Sequence, residues 1–396
     1  MRLLTTILLV LILTTHGATQ EDKRVFAFGH SLIDHRPPLI PTPSNETTVL
    51  HWMHALAVEA GQTLFGGGQY GFLPQHANLP PLSQWGYDSV PGVWESDYEP
   101  FSAADINTVL ITAGNFVQWQ APDVDYYTDP GITPLSATED IIDWVNGEEP
   151  GCRYYIYENW PDMAPYLSNG FPATDQELEV YWDELNADFH EWWIDYHDLI
   201  LDSRPALEVK MIPVGPILSG VFTSVIPNLM SAADIFEDDA PHGRASLYFL
   251  AGLTTYMGVY ETLAPSSYQV PATIDPAIVD HYQSIVDYIW DQLIAFDTED
   301  GQSRVFFGEV TSLDDLESEA IILFPNPVTD EISLSGMSSR YTIEIYDIVG
   351  HLHQTVSDSQ SSLKVNVAHL PKGTYMVRVT DESGTTVSSQ KIYKRD

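Results

Sequence analysis

Short apolar runs alternate with helical patterns along the first three hundred residues, and this alternation limits the folds open to the chain. The strand candidates lie at residues 25–28, 63–65, 108–112, 154–157 and 209–214. The helical patterns lie between and after them, at residues 49–60, 137–145, 175–201, 244–262 and 278–294. Strands separated by helices form a mostly parallel sheet with helices on both faces. We therefore expect an α/β fold with three α/β/α layers.

A change of pattern near residue 300 predicts a domain boundary. Residues 301–320 are polar, acidic and weakly periodic, as in a linker. From residue 321 onward the apolar residues alternate with polar ones, for instance in Tyr341-Thr342-Ile343-Glu344-Ile345. Period-two alternation with intervening turns predicts a small antiparallel β-sandwich over 321–396. The α/β domain then occupies residues 20–300.

The first 19 residues have the composition of a secretory signal peptide. Arg2 precedes the apolar stretch 8–13, and small residues follow near Gly17. This run is shorter than the roughly 20 residues that a spanning helix needs, and no later segment reaches that length without charges. We expect an exported protein with no membrane-spanning segment in its mature form.

The net charge of the chain limits the kinds of macromolecule expected to bind it. The formal net charge is −40, and residues 21–320 carry nearly all of it, with 48 acidic and 8 basic side chains. Such a field repels polyanions, so nucleic acid is excluded as an expected partner. Cys152 is the only cysteine, which rules out an intrachain disulfide.

Two short islands far apart in the sequence supply the groups of a serine nucleophile. Gly29-His30-Ser31-Leu32 follows the first strand candidate, and Asp239-Ala240-Pro241-His242 lies about two hundred residues later. A serine hydroxyl needs an imidazole to take its proton, and a carboxylate must hold that imidazole in the right tautomer. Ser31, His242 and Asp239 are these three chemical types.

Four blocks in order make the first domain resemble the SGNH (GDSL-type) hydrolases. They are the two islands together with Gly68-Gln69-Tyr70-Gly71 and Ala113-Gly114-Asn115-Phe116. The resemblance implies a flavodoxin-like α/β/α domain, an esterase activity, and neither a cofactor nor a metal.

The resemblance also implies residue roles. Ser31 is the nucleophile, His242 is the base and then the acid, and Asp239 orients the imidazole. The oxyanion donors are the backbone N–H groups of Ser31 and Gly71 and the side-chain amide of Asn115. Gly68 is a nearby alternative to Gly71.

Two positions depart from that pattern. His30 and Phe116 stand where the family has aspartate, and His30 is a possible competitor of His242 as base. We take His30, Phe116 and Trp119 as candidate substrate-binding residues. Aromatic loops at 85–98 and 116–127 either line a glycan groove or pack in the core, whereas helical spacing favours core packing for Trp182 to Tyr196.

Other polar clusters are interpreted as structural. The acidic groups at 123–129 and 237–239 lack a calcium-loop pattern and are expected to be solvated. His51 and His54 share a helix face but lack the glutamate of a zinc-protease motif. No metal site is expected.

The last domain resembles the sorting domain of the type IX secretion system of Bacteroidota. The resemblance is carried by Phe324-Pro325-Asn326-Pro327, Ile345-Tyr346-Asp347-Ile348-Val349-Gly350, Leu370-Pro371-Lys372-Gly373-Thr374-Tyr375 and the basic end at 391–394. It implies the type IX machinery as partner and a secreted or outer-membrane surface location. An accessory carbohydrate-binding β-sandwich is the alternative.

Together these features predict a secreted serine esterase that removes acyl groups, with acetyl expected, from a carbohydrate. Within enzymes, the alternative is a lipolytic or aryl esterase that acts on longer acyl chains. Outside enzymes, it is a non-catalytic surface protein that binds glycan.

Overall fold

The structure is a computed structural model that describes residues 22–81, 86–308, 322–324, 328–335, 341–347, 352–358, 362–380 and 386–395. The chain divides into two units, Met1–Gly308 and Glu309–Asp396. The expected signal peptide at 1–19, Trp85 and residues 309–320 of the expected linker 301–320 lie outside the described residues. Residues 301–308 belong to the first unit, with Val305 and Phe306 buried, so this unit extends beyond its expected end at residue 300.

A parallel sheet forms the centre of the first unit. Its strands are β1 (Lys23–Gly29), β2 (Leu64–Tyr70), β3 (Thr108–Ile111), β4 (Arg153–Glu158) and β5 (Val209–Pro213). They lie in the order β2-β1-β3-β4-β5, and every neighbouring pair is parallel. The expectation of a parallel α/β sheet is confirmed. In this strand order β2 is added on one side of β1 and β3 on the other, so the order of strands reverses between β1 and β3. The crevice outside the carboxyl ends of two such strands is where these sheets bind ligands.

Ten α-helices accompany the sheet within the described residues. They are α1 (Val49–Glu59), α2 (Leu73–His76), α3 (Pro134–Glu148), α4 (Asp175–Glu184), α5 (Asp188–Ser203), α6 (Val214–Gly220), α7 (Ala232–Ile235), α8 (Ala245–Tyr260), α9 (Pro276–Asp280) and α10 (Tyr282–Ala295). In the part of the chain that the structure describes, no helix is long and apolar enough to cross a membrane.

The pattern at 175–201 predicted one helix, but the chain forms two. The backbone at Ala187 is non-helical, with φ −111° and ψ −132°. Just before it, the Asn186 side-chain amide donates to the carbonyl of Trp182 at 3.1 Å. A polar side chain that bonds to nearby backbone competes with the helical hydrogen bonds, which ends α4 and allows α5 to start afresh.

Helices pack on both faces of the sheet because successive strand residues point to opposite sides. Met211 of β5 belongs to an apolar cluster with Ile141 of α3 and Trp193 of α5. The next residue, Ile212, lies against Gly258 of α8 on the other face. The expected three layers are therefore present.

The α1/α8 contact depends on a glycine. A Cβ atom built at Gly252 of α8 would lie 2.5 Å from the Cβ of Trp52. We expect Gly252→Ala to destabilise the protein by about 1–3 kcal/mol, because overpacking there outweighs the better helix propensity of alanine. Gly147→Ala is the matched control, since Gly147 lies in α3 with open space around its Cβ direction. Urea unfolding midpoints measure both; equal midpoints for the two variants would contradict the close contact.

The second unit consists of antiparallel strands. They are β6 (Ile322–Phe324), β7 (Glu331–Ser335), β8 (Tyr341–Asp347), β9 (Leu352–Asp358), β10 (Ser362–Asn366), β11 (Gly373–Thr380) and β12 (Thr386–Lys394). The sheets β10-β7-β6 and β12-β11-β8-β9 share one buried apolar cluster, which contains Ile332 and Val365 from the first sheet and Ile343 and Val377 from the second. The predicted antiparallel β-structure is confirmed.

Candidate active site

Ser31 and His242, 211 residues apart in sequence, meet in the structure. Ser31 lies in the turn after β1, and its hydroxyl donates to Nε2 of His242 at 2.9 Å. His242 lies in the loop between α7 and α8, where Phe236 and Gly243 form an antiparallel bridge. The sequence-based pairing of a serine with an imidazole therefore matches the observed geometry.

The carboxylate beside His242 is Asp238, not the predicted Asp239. Nδ1–H of His242 donates to Oδ2 of Asp238 at 2.8 Å. Asp239 instead presents its backbone carbonyl to the N–H groups of Met163 and Ala164, at 3.0 and 3.2 Å. The expectation for Asp239 is thus corrected.

The local turn explains this choice. Oδ1 of Asp238 accepts from the backbone N–H groups of Ala240 and His242, at 3.1 and 3.0 Å. Such Asx-type bonds fold the chain so that the other oxygen faces the imidazole. Partial burial acts to raise the pKa of Asp238, but the hydrogen bonds from the His242 side chain and backbone outweigh it, and the pKa lies below its usual range. The carboxylate is therefore ionised at neutral pH.

Tyr248, which the sequence analysis did not single out, holds the nucleophile's backbone. Its hydroxyl donates to the carbonyl of Ser31 at 2.6 Å from the wholly buried helix α8. Tyr157 of β4 donates to the next carbonyl, that of Leu32, at 3.4 Å. The turn that carries Ser31 is tied to two elements besides β1.

His30 is a buried residue whose ring nitrogens contact the backbone. It is 1% exposed, and its Nε2 lies 3.0 Å from the carbonyl of Ala113 while the Leu32 N–H donates to its Nδ1 at 3.4 Å. Burial lowers its pKa to about 4, so the ring is neutral at pH 7. The expectation that His30 binds substrate is wrong, and its occupied ring nitrogens also remove it as a competing base.

Asn159, directly after β4, completes this junction. Its side-chain amide donates to Ala113 O at 2.7 Å and to Thr112 Oγ1 at 3.0 Å, and it lies 3.3 Å from Nε2 of His30. One amide therefore joins the ends of β3 and β4 to the residue before the nucleophile. Asn159 was not predicted as a site residue. It comes just after a predicted strand, and residues at the carboxyl ends of parallel strands meet at the edge where such sheets bind ligands.

The Gly71 N–H is already engaged. It donates to the carbonyl of Gly29 at 2.9 Å and so extends the pairing of β1 with β2. The predicted oxyanion role of Gly71 is not supported by this conformation. Its alternative, Gly68, packs against β1, where an added Cβ would lie 2.4 Å from the carbonyl oxygen of Ala27.

Asn115 borders an open cavity near the carboxyl end of β3. The cavity has a volume of about 310 Å³, and Phe116, Trp119 and Tyr166 contribute its aromatic walls. Phe116 and Trp119 are 49% and 75% exposed. Asp162, Glu184 and Asp188 add carboxylates to the lining. Two of the predicted substrate-binding residues thus lie beside the predicted oxyanion asparagine.

The other aromatic residues singled out in the sequence are buried in the helices and partly exposed in the loops. Trp182, Trp192, Trp193 and Tyr196 are buried, as the helical spacing indicated. In the two loops, Tyr87, Trp94 and Tyr126 are buried too, whereas Tyr98 and Tyr127 are 88% and 90% exposed.

Other reactive or metal-binding candidates are occupied by structural contacts. Nδ1 of His51 lies 2.7 Å from Ser89 Oγ, and Nδ1 of His54 lies 3.2 Å from Leu64 O. Cys152 donates its thiol to Ile106 O at 2.9 Å, and burial raises its pKa to about 12. Among the described residues, no group of three or more His, Cys, Asp or Glu side chains is placed to hold a metal ion.

Two solved structures are similar to more than half of this chain. A DUF4886 family protein from Bacteroides uniformis is 13% identical, with 69% of this chain and 95% of that chain covered and a TM-score of 0.44. A carbohydrate esterase family 2 enzyme with a carbohydrate-binding domain from Corynascus thermopiles is 12% identical, with 62% and 67% covered and a TM-score of 0.30. Both scores lie below 0.5, so the chemistry of the site is inferred from its own geometry.

A further similar structure comes from the type IX secretion system. PorZ of Porphyromonas gingivalis, a surface component of the type IX secretion system, is 20% identical over 25% of this chain and 14% of that chain, with a TM-score of 0.19. No curated protein matches the chain. Residues 322–395 match the family described as "Secretion system C-terminal sorting domain". The chain thus carries the sorting domain of a secreted Bacteroidota protein, which directs it through the type IX secretion system to the cell surface or outer membrane.

Proposed function

We propose that the first unit is a serine esterase of the SGNH (GDSL-type) class that acts outside the cell. One observation carries this proposal: the hydroxyl of Ser31 donates to His242, and His242 in turn donates to Asp238, with distances of 2.9 and 2.8 Å. A nucleophile bonded to a base that a third group orients is the arrangement that activates serine.

The proposed reaction has two steps. His242 takes the Ser31 proton as Oγ attacks the ester carbonyl, and Asp238 stabilises the imidazolium that forms. Collapse of the tetrahedral intermediate breaks the bond to the alcohol, which receives the proton from His242 and leaves an acyl-serine. Water then attacks the acyl-serine with His242 again as base, which releases the acid and restores Ser31. Each turnover consumes one ester and one water, and His242 returns every proton that it takes.

The oxyanion needs donors that are fixed in advance. We propose the backbone N–H of Ser31 and the side-chain amide of Asn115, and we leave out Gly71 because its N–H is bonded to Gly29. The Asn115 carbonyl accepts from the Asp162 N–H at 3.2 Å, which fixes the backbone from which the amide projects.

We expect Asn115→Ala to lower kcat about 10²- to 10³-fold, because one oxyanion donor is typically worth that much. Asn146→Ala, the same change in α3, is the matched control and should retain wild-type kcat. Steady-state kinetics with p-nitrophenyl acetate measure both variants. Wild-type kcat in Asn115→Ala would remove this residue from the oxyanion site.

A carbohydrate ester is the substrate that the cavity favours. Exposed aromatic faces such as those of Phe116 and Trp119 suit the apolar face of a sugar ring, and the lining carboxylates suit its hydroxyl groups. We therefore propose acyl groups, with acetyl first, on an extracellular carbohydrate. The longer-chain lipolytic or aryl esterase remains the second candidate because the cavity wall is partly apolar.

Three assays test the proposal on the full chain. A fluorophosphonate probe should label the wild type, and mass spectrometry should place the label on Ser31. Hydrolysis of acetyl esters should exceed that of octanoyl esters, and acetate should be released from acetylated polysaccharide. Preference for octanoyl esters would favour the lipolytic alternative. Glycan binding without labelling or turnover would favour the non-catalytic surface protein.

A further inference from the structure

His35 lies flat against the base of the proposed reaction. The ring centroids of His35 and His242 are 4.2 Å apart, and their planes differ by 10°. The ring of Tyr248 is nearly parallel to that of His35, at 6.4 Å and 13°. His242 thus has a serine at one ring nitrogen, a carboxylate at the other and a flat ring over one face.

A buried carboxylate fixes the position of His35. Nε2–H of His35 donates to Oε2 of Glu237 at 2.9 Å, and the Glu237 side chain is only 1% exposed. The same carboxylate accepts from the backbone N–H groups of Leu39 and Ile40, at 2.8 and 3.2 Å. Glu237 also donates its own N–H to the carbonyl of His242 at 2.7 Å. The support of His35 and the loop that carries His242 are therefore one hydrogen-bonded unit.

This arrangement suits the charge changes of catalysis. Burial lowers the pKa of His35 against the opposing effect of its bond to Glu237, and the neighbouring His242 lowers it further. Both pKa-lowering effects favour the neutral form of His35 while His242 gains a proton. A neutral aromatic ring over a cationic ring attracts it, whereas two protonated rings at this separation would repel each other.

We propose that His35 is a positioning residue that holds the His242 ring in the plane from which Nε2 reaches Ser31. This inference rests on the proposed esterase function. His35 bonds to Glu237 as His242 bonds to Asp238, and the stacked rings connect the two pairs.

The test compares His35→Phe with His35→Leu in the full chain. Both lose the bond to Glu237 and fill a similar volume, but only phenylalanine offers a flat ring. We expect His35→Leu to lower kcat for p-nitrophenyl acetate about 10- to 100-fold with KM within about twofold, because a small misplacement of a catalytic group costs up to about that much. We expect His35→Phe to retain at least about fivefold more of the kcat than His35→Leu.

Equal kcat values in His35→Phe and His35→Leu would overturn the stacking role, as would a change confined to KM. Urea midpoints confirm that both variants are folded. The wild type gives an independent readout: stacking shifts the ring C–H proton resonances of His242 upfield in spectra of the histidine-labelled protein, and random-coil shifts would contradict the stack. If serine-dependent hydrolysis is missing from the wild type, the proposed function fails first, and the spectrum still tests the stack.

Discussion

Ser31→Ala is expected to reduce kcat for p-nitrophenyl acetate by on the order of 10⁵- to 10⁶-fold. The alanine removes the only atom that forms the acyl-enzyme, while the His242 and Asp238 side chains stay in place. Loss of the nucleophile in a serine triad has an effect of this size because the three residues act as a unit. The measurement is initial-rate kinetics, with active-site titration by fluorophosphonate.

Ser203→Ala is the matched control for this prediction. Ser203 is the last residue of α5, and its hydroxyl donates only to the carbonyl of Ile200 at 3.2 Å among the described contacts. This variant should match the wild type in rate and labelling. Residual serine-specific labelling in Ser31→Ala would show that a different serine is the nucleophile.

Asp238→Asn is expected to lower kcat about 10³- to 10⁴-fold. An amide in place of the carboxylate no longer fixes the tautomer of His242 or stabilises the imidazolium, and that change is worth about 10⁴-fold in a well-buried triad. Asp238 is 37% exposed in its side chain, so water screens part of the charge, and the lower end of the range is expected.

Asp239→Asn tests whether Asp238 or the predicted Asp239 orients His242. The contacts of Asp239 with Met163 and Ala164 involve its backbone carbonyl, which the substitution leaves in place. We expect kcat within about threefold of the wild type, measured in the same assay. A large loss in Asp239→Asn together with wild-type kcat in Asp238→Asn would return the role to Asp239.

Much of this architecture could be predicted because burial imposes periodicity on the sequence. Each of the five predicted apolar runs overlaps a strand, and Ser31 and Asn115 follow the strands on either side of the point where strand order reverses. Parallel strands carry their loops at one edge, so residues just after them meet regardless of sequence separation.

The wrong prediction of the triad carboxylate concerns a place where residues of one type are adjacent in sequence. Glu237, Asp238 and Asp239 are consecutive acids, and only the folded turn decides which carboxylate faces the imidazole. His35 approaches His242 through a contact that leaves no periodic signal. The break at Ala187 was missed because Tyr181, Leu185, Phe189 and Trp192 continue the apolar spacing across it.

The shared contact with the Ala113 carbonyl couples positions 30 and 159. The carbonyl accepts from the Asn159 amide, and the His30 ring nitrogen lies within hydrogen-bonding distance of both. An aspartate at position 30 would have to accept from Asn159 instead, since it has no N–H to give the carbonyl. The effect of replacing His30 by aspartate therefore depends on the residue at position 159, because the aspartate needs the Asn159 amide as its donor and contacting residues have non-additive effects.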